Sequence, residues 1–264
     1  MSKLRVISLG WGVQSFALAA MSALGELPPV DAAIHADTTH ERSETYVFAK
    51  RWTPWLEERG VKVITVNDKV AANKIFGDSG QVFLPLYAVN NATGKRGVLR
   101  RSCTHRWKVV PIRRWVSEEL KRRGLKKTPS IVKTEIGITL DEWSRMKDSN
   151  VKYIANAYPF MEMNPPMNRH AVMKWLLERD LEIPVKSSCT FCPYHSYAAW
   201  KEISKCDENW AGALEMDEII RHKRPGYQCF LTHGMVPLTE LDFNNKYQQM
   251  ELWDEDECTG MCFL

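Results

Sequence analysis

Leu4-Arg5-Val6-Ile7-Ser8-Leu9-Gly10-Trp11-Gly12-Val13-Gln14-Ser15 is the stretch whose reading decides the fold. Residues 4–9 form a short β-type run that passes straight into a loop holding Ser8, Gly10 and Gly12. A helical pattern follows from Ser15, with Phe16, Leu18, Ala19, Ala20 and Met21. The two glycines let bare backbone N–H groups approach a ligand closely, and Ser15 is placed to cap the new helix. Unpaired N–H groups and the positive end of the helix dipole then converge on one point, which suits a phosphate. The loop has neither the Gly-Lys-Ser/Thr ending of a Walker A loop nor the spacing of a dinucleotide fingerprint.

Working outward, residues 31–37 read as a second strand ending in the polar cluster Asp37-Thr38-Thr39-His40-Glu41. A helix is expected over residues 43–59, with Tyr46, Phe48, Trp52 and Trp55 as its buried stripe and Gly60 at its end. Residues 61–66 give a third strand. Strand alternating with helix predicts an α/β fold, a parallel sheet with helices on both faces. Ligands of such sheets sit at the carboxyl ends of the strands, where Ser8 to Gly12 and Asp37 to Thr39 both fall.

Residues 67–100 show little periodicity and read as a long excursion beside the site. A helix is expected within residues 106–123, beginning at Pro111, then a strand over 131–138, a mixed segment over 151–160, and helices over 168–179 and near 197–203. The C-terminal third carries only weak strand signals. Two units are expected: residues 1–150 as a nucleotide-binding domain, and residues 151–264 as a cysteine-bearing extension packed on it.

The 264 residues are 44 % hydrophobic, enough for one large domain with an appendage. No apolar run reaches the roughly 20 residues of a membrane span, and the first residues lead directly into a strand. A soluble, cytoplasmic protein with no membrane partner is expected. Between Lys95 and Lys127 there are thirteen Lys or Arg against two Glu, whereas the final residues include Glu251, Asp254, Glu255, Asp256 and Glu257. The basic block 95–127 suits a polyanionic ligand, a nucleic-acid acceptor included.

Seven cysteines include the close pairs Cys189-x-x-Cys192 and Cys258-x-x-x-Cys262. Two thiols three apart on a tight loop make half of a tetrahedral sulfur site, for zinc or for an iron–sulfur cluster, and a redox dithiol has the same spacing. Cys103 stands in a basic loop with Arg101, Arg106 and Lys108, surroundings that favour a thiolate.

Taken together, Ser8-x-Gly10…Ser15, Asp37-Thr38…Glu44-Thr45-Tyr46, Arg101-Ser102-Cys103…Lys108-x-x-Pro111 and Gly137…Asp141-Glu142-x-Ser144-Arg145 resemble the phosphoadenosine phosphosulfate (PAPS) reductase family. That family lies within the Rossmann-like PP-loop, or adenine nucleotide α-hydrolase-like, superfamily. The Gly-Val-Gln-Ser loop and the Cys189-x-x-Cys192-Pro stretch are similar to a branch found in bacteria and phages. The resemblance implies that Ser8, Gly10, Gly12 and Ser15 hold the phosphates of ATP or of a phosphosulfate nucleotide (PAPS or APS), with magnesium as a candidate companion. It implies that Asp37, Thr38 and Arg101 line the nucleotide, and that Glu142 and Arg145 close over it. It also implies a [4Fe–4S] cluster on Cys103, Cys189 and Cys192, with Cys262 or Cys258 as the fourth ligand or an iron left open; zinc is the alternative.

The sequence departs from the pattern in three places. Gln14 stands where many members have aspartate, Ser102 where a first cysteine is expected, and Glu257-Cys258-Thr259-Gly260 where the reductases carry Glu-Cys-Gly. Three activities are compatible with these residues. One is ATP-dependent thiolation of a nucleic acid, fed by a sulfur donor. Another is reduction of a sulfonucleotide, with Cys258 as nucleophile, Lys108 and Arg145 in the active site, and a thioredoxin partner. The last is nucleotide binding with structural zinc.

Overall fold

The computed structural model describes residues 3–67 and 82–243. Cys258, Cys262 and the acidic C-terminal stretch, all singled out from the sequence, lie outside these. The first strand, β1 (Leu4–Ser8), is central in a five-stranded sheet with β2 (Ala32–Ala36), β3 (Val63–Val66), β6 (Val132–Glu135) and β7 (Ile154–Ala157). The order is β3-β2-β1-β6-β7 and every pairing is parallel. Strands are added to one side of β1 as β2 and β3 and to the other as β6 and β7, so the crevice of this doubly wound sheet opens at the end of β1.

Helix α1 (Val13–Ala23) is apolar nearly all round, because it is sandwiched between the sheet and α5 (Arg169–Leu177). With α2 (Ser43–Glu58) these helices cover one face, and α3 (Val110–Arg122) packs over Leu4, Val6, Ile34 and Val132 on the other. The α/β fold with helices on both faces is therefore as expected. The fifth strand lies past residue 150, so the boundary expected there falls inside the sheet.

Three segments differ from the sequence reading. Residues 87–98 of the supposed excursion form a hairpin, β4 (Tyr87–Asn90) and β5 (Arg96–Val98), turned by Asn90, whose Oδ1 accepts the N–H groups of Ala92 and Thr93. β8 (Tyr227–Phe230) pairs antiparallel with β4 to complete a second sheet, β5-β4-β8. The mixed segment supplies β7 and the short turn α4 (Pro159–Glu162), and the C-terminal third contains α7 (Asp207–Ile220). The helical period of α7 was hidden because Asn209 and Asp217 stand on its buried face. Asn209 accepts the Ser43 N–H and donates to Glu44, capping α2 from a distance, while Asp217 accepts from Leu238 N–H and pairs with Arg221. The Tyr46 end of the expected stripe also moves: Tyr46 is partly exposed, and its hydroxyl donates to Asp37.

Candidate functional site

Gly12 caps α1 without a side chain, so the cap expected at Ser15 is not formed. Ser15 instead ties the loop from inside the first turn, accepting the Gly10 N–H (3.0 Å) and donating to the Gly12 carbonyl (3.2 Å). Between the glycines, Trp11 adopts φ +57°, a conformation that costs a bulky residue about 1–2 kcal/mol. Its indole is buried against Phe16, Phe48 and His35, which holds the loop there. Beneath Trp11, the buried His35 ring contacts the Leu9 carbonyl through Nδ1 (3.1 Å), and burial holds its pKa below the usual histidine range.

The first turn of α1 faces a solvent-open cleft whose lining includes Ser8, Gly10, Gly12, Ser15, Thr38 and Trp107. A second recess on the α3 side shares Ser8, Lys108 and Ile136 with it. Arg101, Lys108, Arg145, Arg169 and Lys186 also line the cleft, against one lining carboxylate, Glu142. Five cations facing one carboxylate make a concave cationic surface beside a helix N-terminus, the electrostatics of a site for phosphates or a sulfate.

Two polar relays hold these charges. In one, Arg169 donates to Gln14 Oε1 (3.2 Å), Gln14 Nε2 donates to Glu142 (3.2 Å), and Glu142 pairs with Arg145. Because Gln14 both donates and accepts, it can link a guanidinium to a carboxylate; an aspartate there would face Glu142 with a like charge. In the other, Lys108 Nζ lies 3.0 Å from Glu41, which also accepts from Ser187 (3.2 Å) and Thr38 (3.4 Å). Burial works against the charged form of Lys108, but Glu41, Cys189 and Cys103 outweigh it and the pKa is raised, so Lys108 is an ammonium. Glu41, Arg169 and Lys186 were not singled out from the sequence. For Glu41 the signal was its place in the polar cluster after β2.

The loop carrying Cys189 and Cys192 is stitched to that cluster by backbone bonds, Thr190 N–H to the His40 carbonyl and Arg42 N–H to the Ser188 carbonyl, and by a bridge between Glu41 and Cys189. The buried His195 closes the turn, its Nε2 lying 2.8 Å from the Cys189 carbonyl, and its ring packs on Trp200. Thr38 Oγ1 lies 3.4 Å from Cys189 Sγ. Burial pushes the Cys189 thiol up, the Glu41 charge adds to this, and Lys108 and the Thr38 contact oppose it; burial also raises Cys192.

Cys103, Cys189 and Cys192 all line the cleft, near enough for their charges to act on one another. Three thiols suit a thiophilic metal or cluster, and thiols with raised pKa values release their protons when a metal binds. As placed, no group of three or more His, Cys, Asp or Glu side chains among the described residues is arranged to hold a metal ion. A single metal ion shared by these thiols would require them to close up. Of the other described cysteines, Cys206, just before α7, contacts Ser43, and Cys229 is buried in β8.

Of the nucleotide residues expected from sequence, Asp37 is not among the cleft's lining residues: its carboxylate accepts from Thr39 N–H and from Tyr46. The basic block does not present one face. Arg101 and Lys108 reach the cleft, whereas Arg122 and Arg123 pair with Glu119, and Arg123 also with Asp31. No helix among the described residues is long and apolar enough to cross a membrane.

No family model matches the sequence, and no curated protein does. Among solved structures, the chain is similar to one described as phosphoadenylyl-sulfate (PAPS) reductase from Candida auris in a phosphate complex. The two share 14 % identity over 68 % of this chain and 74 % of that one, with a TM-score of 0.43.

Proposed function

We propose that this protein is a PAPS reductase-like enzyme that binds an adenine nucleotide in the cleft and carries out sulfur-transfer chemistry beside it. The observation that carries this reading is that one cleft, at the carboxyl edge of a parallel sheet, gathers the N-terminus of α1, five cations and three thiols. The phosphates lie over Gly10, Gly12 and the first turn of α1, within reach of Ser8, Arg101 and Arg145. Lys108, fixed by Glu41, faces the anionic end of the ligand next to Cys189.

Cys103, Cys189 and Cys192 are the proposed ligands of an iron–sulfur cluster, which when bound would supply a sulfur-rich charged group beside the ligand's terminal anion. Zinc on the same thiols would be a structural clasp. In the reductase form of the reading, a thiolate, assigned to Cys258 from its motif, attacks the sulfate sulfur and the S–O bond to the nucleotide breaks. The nucleoside phosphate leaves with that electron pair, and a thioredoxin-type dithiol then releases sulfite and becomes a disulfide. In the thiolation form, ATP adenylates an oxygen of the nucleic acid with loss of pyrophosphate, and sulfide from a sulfur donor replaces that oxygen as AMP leaves.

The test is an anaerobic preparation in which iron, sulfide and zinc are counted and the binding of ATP and PAPS is measured by calorimetry. Nucleotide binding with about four irons and four sulfides per chain supports the reading. Zinc without iron removes the cluster, and absence of nucleotide binding removes the reading itself. Product analysis separates the two forms: sulfite released with thioredoxin, or ATP turnover that requires an acceptor.

A further inference from the structure

We propose that Arg169 is an anion-binding residue that brings to the phosphates, as a fixed part of the chain, the charge a divalent cation would otherwise supply. The cleft then takes its nucleotide without metal. The inference rests on the nucleotide reading above and concerns how the charge of that ligand is neutralised.

A magnesium ion at a phosphate site is held by one or two carboxylates together with the phosphates themselves. Among the described residues lining the cleft, Glu142 is the one carboxylate, and both its oxygens are engaged: Oε1 pairs with Arg145, and Oε2 accepts from Gln14. The acceptor that α1 offers in its first turn is the Gln14 amide oxygen, and it faces the Arg169 guanidinium at 3.2 Å. A dication beside that oxygen would meet the Arg169 charge and would gain an anionic ligand only by displacing Arg145 or Gln14 from Glu142.

Arg169 is also held in place for this role. It is the first residue of α5, its own N–H donates to Asp141, and Asn168 caps the helix through Ala171 N–H. α5 packs on α1, so the backbone from which the guanidinium extends keeps a fixed relation to the α1 N-terminus. Its side chain lies at the exposed mouth, with a neutral amide as its partner there; a phosphate is a stronger acceptor than that amide and would take over the contact. Arg145 is placed similarly: its Nε is buried without a hydrogen-bond partner, beside the Glu142 pair.

Calorimetry on the full chain with ATP and with adenosine 3′,5′-bisphosphate, each in excess EDTA and in excess magnesium, tests this. The wild type is expected to bind with the same Kd in both buffers, within about twofold. Arg169→Ala is expected to bind about tenfold or more weakly in EDTA, as for loss of a charge-assisted hydrogen bond. The double variant Gln14→Asp/Arg169→Ala, which restores a carboxylate and removes the guanidinium, is expected to bind tighter in magnesium than in EDTA. Wild-type binding that disappears in EDTA and returns with magnesium overturns the proposal while leaving the nucleotide reading intact. So does an Arg169→Ala variant, shown folded by its melting curve, that binds like the wild type in EDTA. No binding by the wild type in either buffer overturns both.

Discussion

A β-carbon at Gly137 would lie 2.9 Å from both the carbonyl carbon and the Cβ of Gln14, and 3.0 Å from the Ser15 nitrogen. The segment after β6 therefore crosses the first turn of α1 at a separation only glycine permits, and two of the three atoms it meets are backbone. Gly137→Ala must push the α1 N-terminus away from the β6 end. The cost is expected at about 1–3 kcal/mol, typical of overpacking, or a fall in Tm of roughly 2–12 °C for a chain of this size. Calorimetric affinity for a nucleotide should fall in the same variant, because the N–H groups it displaces are those proposed to bind phosphate. An unchanged Tm and Kd would mean that the segment yields freely.

The second prediction concerns the buried pair Glu41 and Lys108, whose side chains are 1 % and 18 % exposed. Glu41→Gln leaves an ammonium facing a neutral amide in the cleft wall, and loss of one partner of a buried pair costs about 3–5 kcal/mol. Glu41→Gln/Lys108→Met removes both charges and should recover part of that loss, measured as a coupling in a denaturation cycle. Additive single effects would show that the two charges do not support each other. Sign matters for pH: the folded pKa of Lys108 is raised, so its stabilisation is complete below its ordinary value of 10.5 and is lost as pH climbs through the folded one.

How much of this site was legible beforehand follows from how local each contact is. The β1 loop could be read because its strand, glycines and helix are contiguous, and the Cys189-x-x-Cys192 turn for the same reason. Lys108 and Arg145 were reached through motif resemblance. Arg169 and Gln14 meet across 155 positions and Glu41 and Lys108 across 67, and no periodicity in one chain reports such approaches. β4 and β5 were missed because the short hairpin lacks apolar alternation, and β5 is exposed throughout. α7 was missed because its core face carries buried polar groups with specific partners, which reads as loop until those partners are known. Trp11 carried no signal of its own in the sequence, and its burial is what fixes the loop.

A third prediction comes from His35. Its folded pKa lies below 6.5 because burial disfavours the imidazolium, and the charges of Glu41 and Asp37 only partly offset this. The unfolded chain therefore takes up a proton that the folded chain resists. Stability is complete above about pH 6.5 and declines as pH falls toward and through the folded value. His35→Asn, which retains a donor for the Leu9 carbonyl, should abolish that part of the acid dependence. The measurement is the difference in Tm between wild type and variant from pH 7.5 to 5, on the order of two units about the histidine range. A gap that stays constant with pH would show that His35 does not titrate in the unfolding reaction.

The last prediction separates the three cleft thiols from the other described cysteines. Cys103 and the Cys189–Cys192 turn come from segments far apart in sequence. They converge on Lys108, while Cys206 and Cys229 lie away at α7 and β8. If one resident group uses the convergent thiols, Cys103→Ser, Cys189→Ser and Cys192→Ser should each strip bound iron or zinc from anaerobically prepared protein. Cys206→Ser should leave the metal count at the wild-type level, and Cys229→Ser should lower Tm through its buried site without releasing metal. Melting curves distinguish loss of metal from loss of fold, since the convergent thiols sit at a cleft wall and Cys229 sits in the core. Full metal retention by all three cleft variants would assign the thiols to packing and leave the cations and the α1 N-terminus to carry the function.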